Sequence, residues 1–191
     1  MQPALPVGRM TYAEYVASEA VSTVKREFIR GNVYAMAGGT PEHGALAAAV
    51  IGELREALRG KPCRVYSSDL RVRILGTDMA TYPDVTVICG RIETASDDPN
   101  AAVNPKLLVE VLSESTEAYD RGSKAAHYRR IPSLQEYVLV AQDEPRIEVY
   151  RRNDEGGWVL FEAGPGERLE LRSIGVSLNV GAVYENPLVA N

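Results

Sequence analysis

A strand-like apolar run with a carboxylate inside it constrains this chain more than any other stretch. Lys106-Leu107-Leu108-Val109-Glu110-Val111-Leu112-Ser113 is preceded by Asn104-Pro105 and closed by the polar Ser113-Glu114-Ser115-Thr116. A short apolar run bounded by turn residues is expected to form a buried strand. Alternate residues of a strand share a face, so Glu110 falls between Leu108 and Leu112 while Leu107, Val109 and Val111 point the other way. An unpaired buried carboxylate is costly, so Glu110 requires a cation, hydrogen-bond donors or an exit to a cleft. Two readings stay open here: a strand-end glutamate paired with a buried Arg or Lys, and a carboxylate that belongs to a site.

The 191 residues are most simply one domain spanning the chain, with a core from about residue 11 to 184, and are enough to bury a proper interior. Cys63 and Cys89 are too few and too far apart for a zinc motif or a disulfide framework. Met1 to Val7 holds no apolar segment of signal-peptide type, and the apolar run from Ala45 to Ile51 is far short of a membrane span. A soluble cytoplasmic protein without a membrane partner is therefore expected. The net charge of −5 argues against indiscriminate coating of nucleic acid. Basic residues nevertheless gather at Lys61, Arg64, Arg71 and Arg73, at Arg121, Lys124, Arg129 and Arg130, and at Arg146, Arg151 and Arg152. These groups could build a local basic face, or be solvated salt-bridge partners.

Taken in order, Thr11 to Arg26 is expected to be a helix capped by Thr11, and Glu27 to Met36 a hairpin turning at Gly31-Asn32. A second helix should start with Thr40 as cap and Pro41 in its first position and run to about Arg59, packing a sheet through Ala45, Ala48, Ala49 and Gly52. Strands are expected near 64–66, 70–75 and 82–89, and 91–105 is expected to be an exposed loop. After the Glu110 strand, a helix from Thr116 or Asp120 should stop at Pro132. Strands near 136–140, 146–151, 158–161, 168–171 and 176–178 make the C-terminal part β-rich. The fold class is α/β, a mixed and strongly bent sheet flanked by helices.

Pro83-Asp84 opens one strand and Glu110 lies within a later one. Two carboxylates on neighbouring strands can converge on a hard cation, with the main-chain carbonyl of Val111 as a third oxygen. Asp120, Lys124 and Tyr128 recur every four residues on one helix face that can look back at Glu110. A lysine there could orient a water or neutralise charge on a phosphorane; an exposed ion pair between Asp120 and Lys124 is the plain alternative. His43, in the first turn of its helix, could hold an anion such as phosphate or act as a structural hydrogen-bonder. Glu27 could be a further metal or water ligand or sit at a helix–strand junction. His127 falls off the Lys124 face, and Ser113, Ser115 and Cys89 have no histidine at a nucleophile spacing.

An Asp after proline, a strand with an internal Glu and a nearby Lys resemble the PD-(D/E)XK nuclease superfamily. More closely, the chain resembles the Uma-two family of restriction-endonuclease-like bacterial proteins. The likeness runs through Glu27-Phe28-Ile29-Arg30-Gly31-Asn32-Val33-Tyr34, Pro41-Glu42-His43, Tyr82-Pro83-Asp84-Val85 and residues 105–113. It continues through Asp120, Lys124 and Tyr128 to Ile131-Pro132-Ser133-Leu134-Gln135-Glu136-Tyr137, from Thr11 to Tyr184 in all. The chain departs from the plain motif at Leu112, where that motif has lysine; the resemblance implies a lysine moved to the following helix, at Lys124.

The resemblance implies a restriction-endonuclease-like fold and a Mg²⁺- or Mn²⁺-dependent endonuclease that hydrolyses phosphodiester bonds in DNA. Asp84, Glu110 and the Val111 carbonyl would hold the metal, Lys124 would act in catalysis, and Glu27 is the second-tier candidate beside them. His43, Arg71, Arg73, Arg129 and Arg130 are the candidates for binding the substrate, and a second copy of the chain is the other partner considered. The alternative is a nuclease-fold module without catalysis that binds nucleic acid or a protein.

Overall fold

The computed structural model describes residues 7–36, 38–186 and 188. The chain begins with β1 (Gly8–Arg9), α1 (Tyr12–Glu19) and the hairpin β2 (Arg26–Ile29) and β3 (Asn32–Ala35). Helix α2 (Pro41–Ala57) leads to β4 (Cys63–Ser67), β5 (Arg71–Ile74), β6 (Met79–Thr81) and β7 (Val85–Cys89). Next come β8 (Thr94–Ala95), β9 (Asp98–Ala102) and β10 (Leu107–Val111). A broken helix then joins α3 (Glu117–Tyr119) and α4 (Ala125–Tyr128) through a π-helical segment, Asp120–Lys124. The chain ends in β11 (Glu136–Val140), β12 (Ile147–Arg152), β13 (Trp158–Ala163), β14 (Arg168–Leu171), β15 (Val176–Asn179) and α5 (Val180–Val183).

The fold is the expected α/β class with mixed sheets and few helices, its strands divided into two mixed sheets and a ribbon. The six-stranded sheet has the order β13-β12-β11-β10-β7-β4, the seven-stranded sheet β1-β3-β2-β6-β5-β9-β8, and β14 pairs with β15. Strand β10 lies inside the six-stranded sheet, parallel to β11 and antiparallel to β7. Its alternation is the one expected. Leu107, Val109 and Val111 pack under Leu46, Val50, Leu54 and Leu58 of the α2 segment, and Leu108 and Leu112 pack with Val72, Ile74, Met79 and Tyr128 on the other face. Leu108 is fully buried, so Leu108→Ala would cost about 2–5 kcal/mol through lost contacts and the cavity left behind. Both faces of β10 are thus covered, and Glu110 can be tolerated only with partners.

Several local expectations are corrected. Helix α1 keeps its Thr11–Glu14 capping box but stops at Glu19, and Arg26 is extended. Val21, Thr23 and Val24 disfavour helix through their branched side chains, and the β2 ladder takes Arg26 instead. The hairpin turns at Arg30-Gly31, both at positive φ (48° and 86°), one residue before the expected pair, and Asn32 pairs with Ile29. Helix α2 packs through its i, i+4 row of Leu46, Val50 and Leu54, whereas Ala45, Ala48 and Gly52 are exposed.

Residues 91–105 are not an open loop. They hold β8 and β9, because Asp98 is fully buried between the Tyr12 hydroxyl (2.8 Å) and the Arg71 Nε (2.9 Å). Cys63 and Cys89, far apart in sequence, are in register on β4 and β7 and form a disulfide, against the expectation of none. Sequence separation misled here, since an antiparallel pair brings distant residues opposite each other. Among the described residues no helix is long and apolar enough to cross a membrane.

Candidate active site

The antiparallel register of β7 and β10 pairs Val85 with Val109, which brings Asp84, one residue before β7, to the C-terminal end of β10. There the Val111 N–H donates to Asp84 Oδ2 at 2.8 Å. The His43 Nε2 lies 3.2 Å from the same oxygen. The hydrogen bond to Asp84 raises the His43 pKa above its ordinary value against the effect of burial, and the Val111 backbone adds to the rise. His43 is held there because Thr40 caps α2, accepting from the His43 N–H at 3.1 Å. The ring therefore faces a carboxylate, and the backbone donor expected to help bind an anion is spent on the cap.

Glu110 is 4% exposed and faces the broken helix. Its Oε1 accepts from the Tyr128 hydroxyl at 2.5 Å and lies 2.8 Å from the Lys124 ammonium. Lys124, also 4% exposed, is 3.4 Å from Asp120 and 3.6 Å from Glu27. One ammonium is thus surrounded by three carboxylates. This rules out the exposed Asp120–Lys124 ion pair. Both residues sit in the π-helical segment, whose wider turn carries Gly122 and Ser123 outward while Asp120 and Lys124 point in.

Glu27 enters the cluster from β2, but both of its oxygens are occupied. Oε1 accepts from the Thr81 hydroxyl at 2.5 Å and Oε2 from the Tyr119 hydroxyl at 3.0 Å. Glu110 and Asp84 differ in this respect. Among the described residues Glu110 Oε2 and Asp84 Oδ1 accept no hydrogen bond. Each carboxylate is pinned through one oxygen and keeps the other free.

Burial raises the pKa of Glu110 well above the usual carboxylate range; Lys124 opposes this, while Asp84 and Asp120 reinforce it. Burial likewise raises Asp120. Burial works against the Lys124 ammonium, but Glu110, Glu27 and Asp120 outweigh it and hold its pKa well above the ordinary lysine value. The cluster is short of positive charge. Two hard oxygens left free beside an excess of negative charge suit a divalent cation. No group of three His, Cys, Asp or Glu side chains among the described residues forms a ready metal cage. The set fits an ion held by few protein oxygens that keeps several waters, as Mg²⁺ does.

The basic candidates separate. Arg71 and Arg73 are 7% and 6% exposed, paired with Asp98 and Asp78, and Arg73 stacks 3.7 Å from the Tyr12 ring centroid. They tie α1 to the seven-stranded sheet and line no approach to the site. Arg129 and Arg130 are exposed just past α4. The sequence places Tyr128 on the face turned to Glu110 through its i, i+4 spacing from Lys124, whereas the Tyr119 and Thr81 hydroxyls that meet Glu27 carry no such signal.

Three comparisons bear on this arrangement. The family model described as Uma2, putative restriction endonuclease, matches residues 12–181. An uncharacterized protein of Synechocystis sp. is 37% identical over 182 residues, covering 95% of each chain. A second uncharacterized Synechocystis protein is 35% identical over 162 residues, covering 85% of this chain and 91% of its own. Among solved structures, the crystal structure of a putative nuclease belonging to DUF820 from Anabaena variabilis superposes with a TM-score of 0.72 at 17% identity. The match covers 92% of this chain and 98% of that one, so the two share a fold.

Proposed function

This chain belongs to the Uma2 family, and on that premise we propose that it is a Mg²⁺- or Mn²⁺-dependent nuclease acting on DNA. The observation that carries the reading is that Glu110 and Asp84, at the C-terminal end of β10, each keep one carboxylate oxygen free of hydrogen bonds, with the Lys124 ammonium on the other oxygen of Glu110. A bound divalent cation supplies Lewis acidity to the scissile phosphate and positive charge to a site that lacks it.

The chain's own groups do the rest. Val111 N–H and His43 fix Asp84 through Oδ2, and Tyr128 and Lys124 fix Glu110 through Oε1, so the two remaining oxygens are pre-oriented. Lys124 either stabilises the negative charge that develops on the phosphate or orients the attacking water. Asp120 and Glu27 hold the ammonium from its other sides. Arg129 and Arg130 are the exposed cations offered to the DNA backbone.

The test is cleavage of plasmid and linear DNA with Mg²⁺ or Mn²⁺ by wild type, Asp84→Ala and Glu110→Gln. Wild type should cleave and both variants should fall to background. Equal cleavage by all three would sink the reading. DNA binding without cleavage by wild type would leave the module that binds and does not cut.

A further inference from the structure

The end of the six-stranded sheet farthest from Asp84 holds a cavity of about 410 Å³ that the nuclease reading does not use. It opens where β14 packs against β12 and β13. Val159 and Phe161 of β13 form its apolar side, and they are 43% and 41% exposed although they share a face with the buried Ala163. Its polar side carries the cations Lys106, Arg151 and Arg172, while Arg152, also in the lining, turns its guanidinium to the carbonyls of Arg129 and Ile131.

The carboxylates nearby do not cancel them. Glu136, fully buried, accepts from Arg151 Nε (2.8 Å), the Ser173 hydroxyl (2.5 Å) and the N–H groups of Arg172 and Ser173 (3.1 and 3.0 Å). It neutralises Arg151 and fixes the β14–β15 turn as a wall. Asp154 lies exposed in the β12–β13 turn. Arg172 pairs with Glu170 only at the surface, with both side chains more than 60% exposed. Lys106 takes part in no ion pair among the described residues, and Arg152, likewise without one, donates to the carbonyls of Arg129 and Ile131. A protein of net charge −5 thus keeps one unpaired cation, Lys106, and one weakly paired at the surface, Arg172, around an aromatic face.

We propose that this cavity is a binding site for a nucleoside phosphate, free or at the end of a nucleic-acid strand. The Arg151 guanidinium lies 4.5 Å from the Phe161 ring centroid, so ring and guanidinium form a platform on which a planar base can stack. Lys106 and Arg172 stand on the rim, where a phosphate can take their unspent donors. The volume is in the range of small-ligand sites. Lys106 precedes β10 and Glu110 lies near its other end, so this site is separate from the carboxylate cluster and does not rest on the nuclease reading.

The chain has one tryptophan, Trp158 on β13, with the Arg152 guanidinium 4.9 Å from its ring centroid, so a ligand that moves Arg152 changes its fluorescence. The experiment titrates the full chain in EDTA with a deoxynucleoside 5′-monophosphate, its nucleoside, inorganic phosphate, and oligonucleotides with and without a 5′-phosphate. Calorimetry supplies a second readout.

Saturable binding of the monophosphate is expected, at least about tenfold tighter than of nucleoside or phosphate alone. Lys106→Glu should weaken it about tenfold or more. Phe161→Ser should weaken monophosphate but not inorganic phosphate, and Asp84→Ala should bind as wild type does. A 5′-phosphorylated oligonucleotide that binds more tightly than the monophosphate identifies a strand end as the ligand; one that binds no more tightly identifies the free nucleotide. Absence of saturable binding overturns the proposal, as does equal affinity in wild type and Lys106→Glu. If Lys106→Glu melts early, Arg172→Ala, at a 64% exposed side chain, takes its place in that comparison.

Discussion

The Tyr128 hydroxyl donates to Glu110 Oε1 at 2.5 Å, with the tyrosine fully buried and the glutamate nearly so. Tyr128→Phe removes that donor and leaves the carboxylate to Lys124 alone. A hydrogen bond to a charged buried group contributes about 1.5–3 kcal/mol, and that loss is the expected outcome in urea unfolding. A change within a few tenths of a kcal/mol would show that the bond contributes little to the fold.

Lys124→Met should be far more disruptive than the loss of a surface ion pair. It strands Glu110, Asp120 and Glu27 in a buried cluster without their cation. Breaking a buried pair from one side costs about 3–5 kcal/mol. The sign with pH is fixed: stranded carboxylates have raised folded pKa values, so the penalty is full at neutral pH and fades as acid protonates them. Urea unfolding of wild type and variant at about pH 8 and about pH 5 measures it. A difference that is small and the same at both would mean that Lys124 is solvated.

Divalent cations should stabilise the chain through Asp84 and Glu110. A ligand at about a hundred times its Kd adds about 2.7 kcal/mol to the folded state. Mg²⁺ or Mn²⁺ should therefore raise the melting temperature of wild type, EDTA should reverse the rise, and Asp84→Asn and Glu110→Gln should lose most of it. Equal shifts in all three proteins would mark unspecific ion binding.

His127 gives a separate pH signature. Burial lowers its pKa, and the Arg30 charge lowers it further, against Glu27. The unfolded chain then binds a proton at higher pH than the folded one, so stability falls as pH drops through about 6.5. Wild type should lose more stability than His127→Gln between about pH 8 and about pH 5 in parallel urea titrations. Parallel losses would show the ring to be solvated.

The sequence by itself determined β10, the faces of its residues, the cap of α2, and the i, i+4 relation of Asp120, Lys124 and Tyr128. These are local properties, set by the period of strand or helix and by residues a few positions apart. It also put Asp84 at the entrance of one short apolar run and Glu110 inside a later one, the two runs that pair as β7 and β10.

Only the tertiary structure decided what each charge touches. Arg71 and Arg73 look like surface cations until Asp98 meets Arg71 in the interior and the half-exposed Asp78 reaches the buried Arg73. Glu27 looks open until Thr81 and Tyr119 fill both of its oxygens. Cys63 and Cys89 become partners through the register of β4 and β7. The burial of Lys124 follows from a π-helical turn and from β2 and β10 arriving on either side of it. The cost or benefit of a charge depends on its desolvation and on partners far away in sequence, and both are fixed only when the sheets and the broken helix close around it.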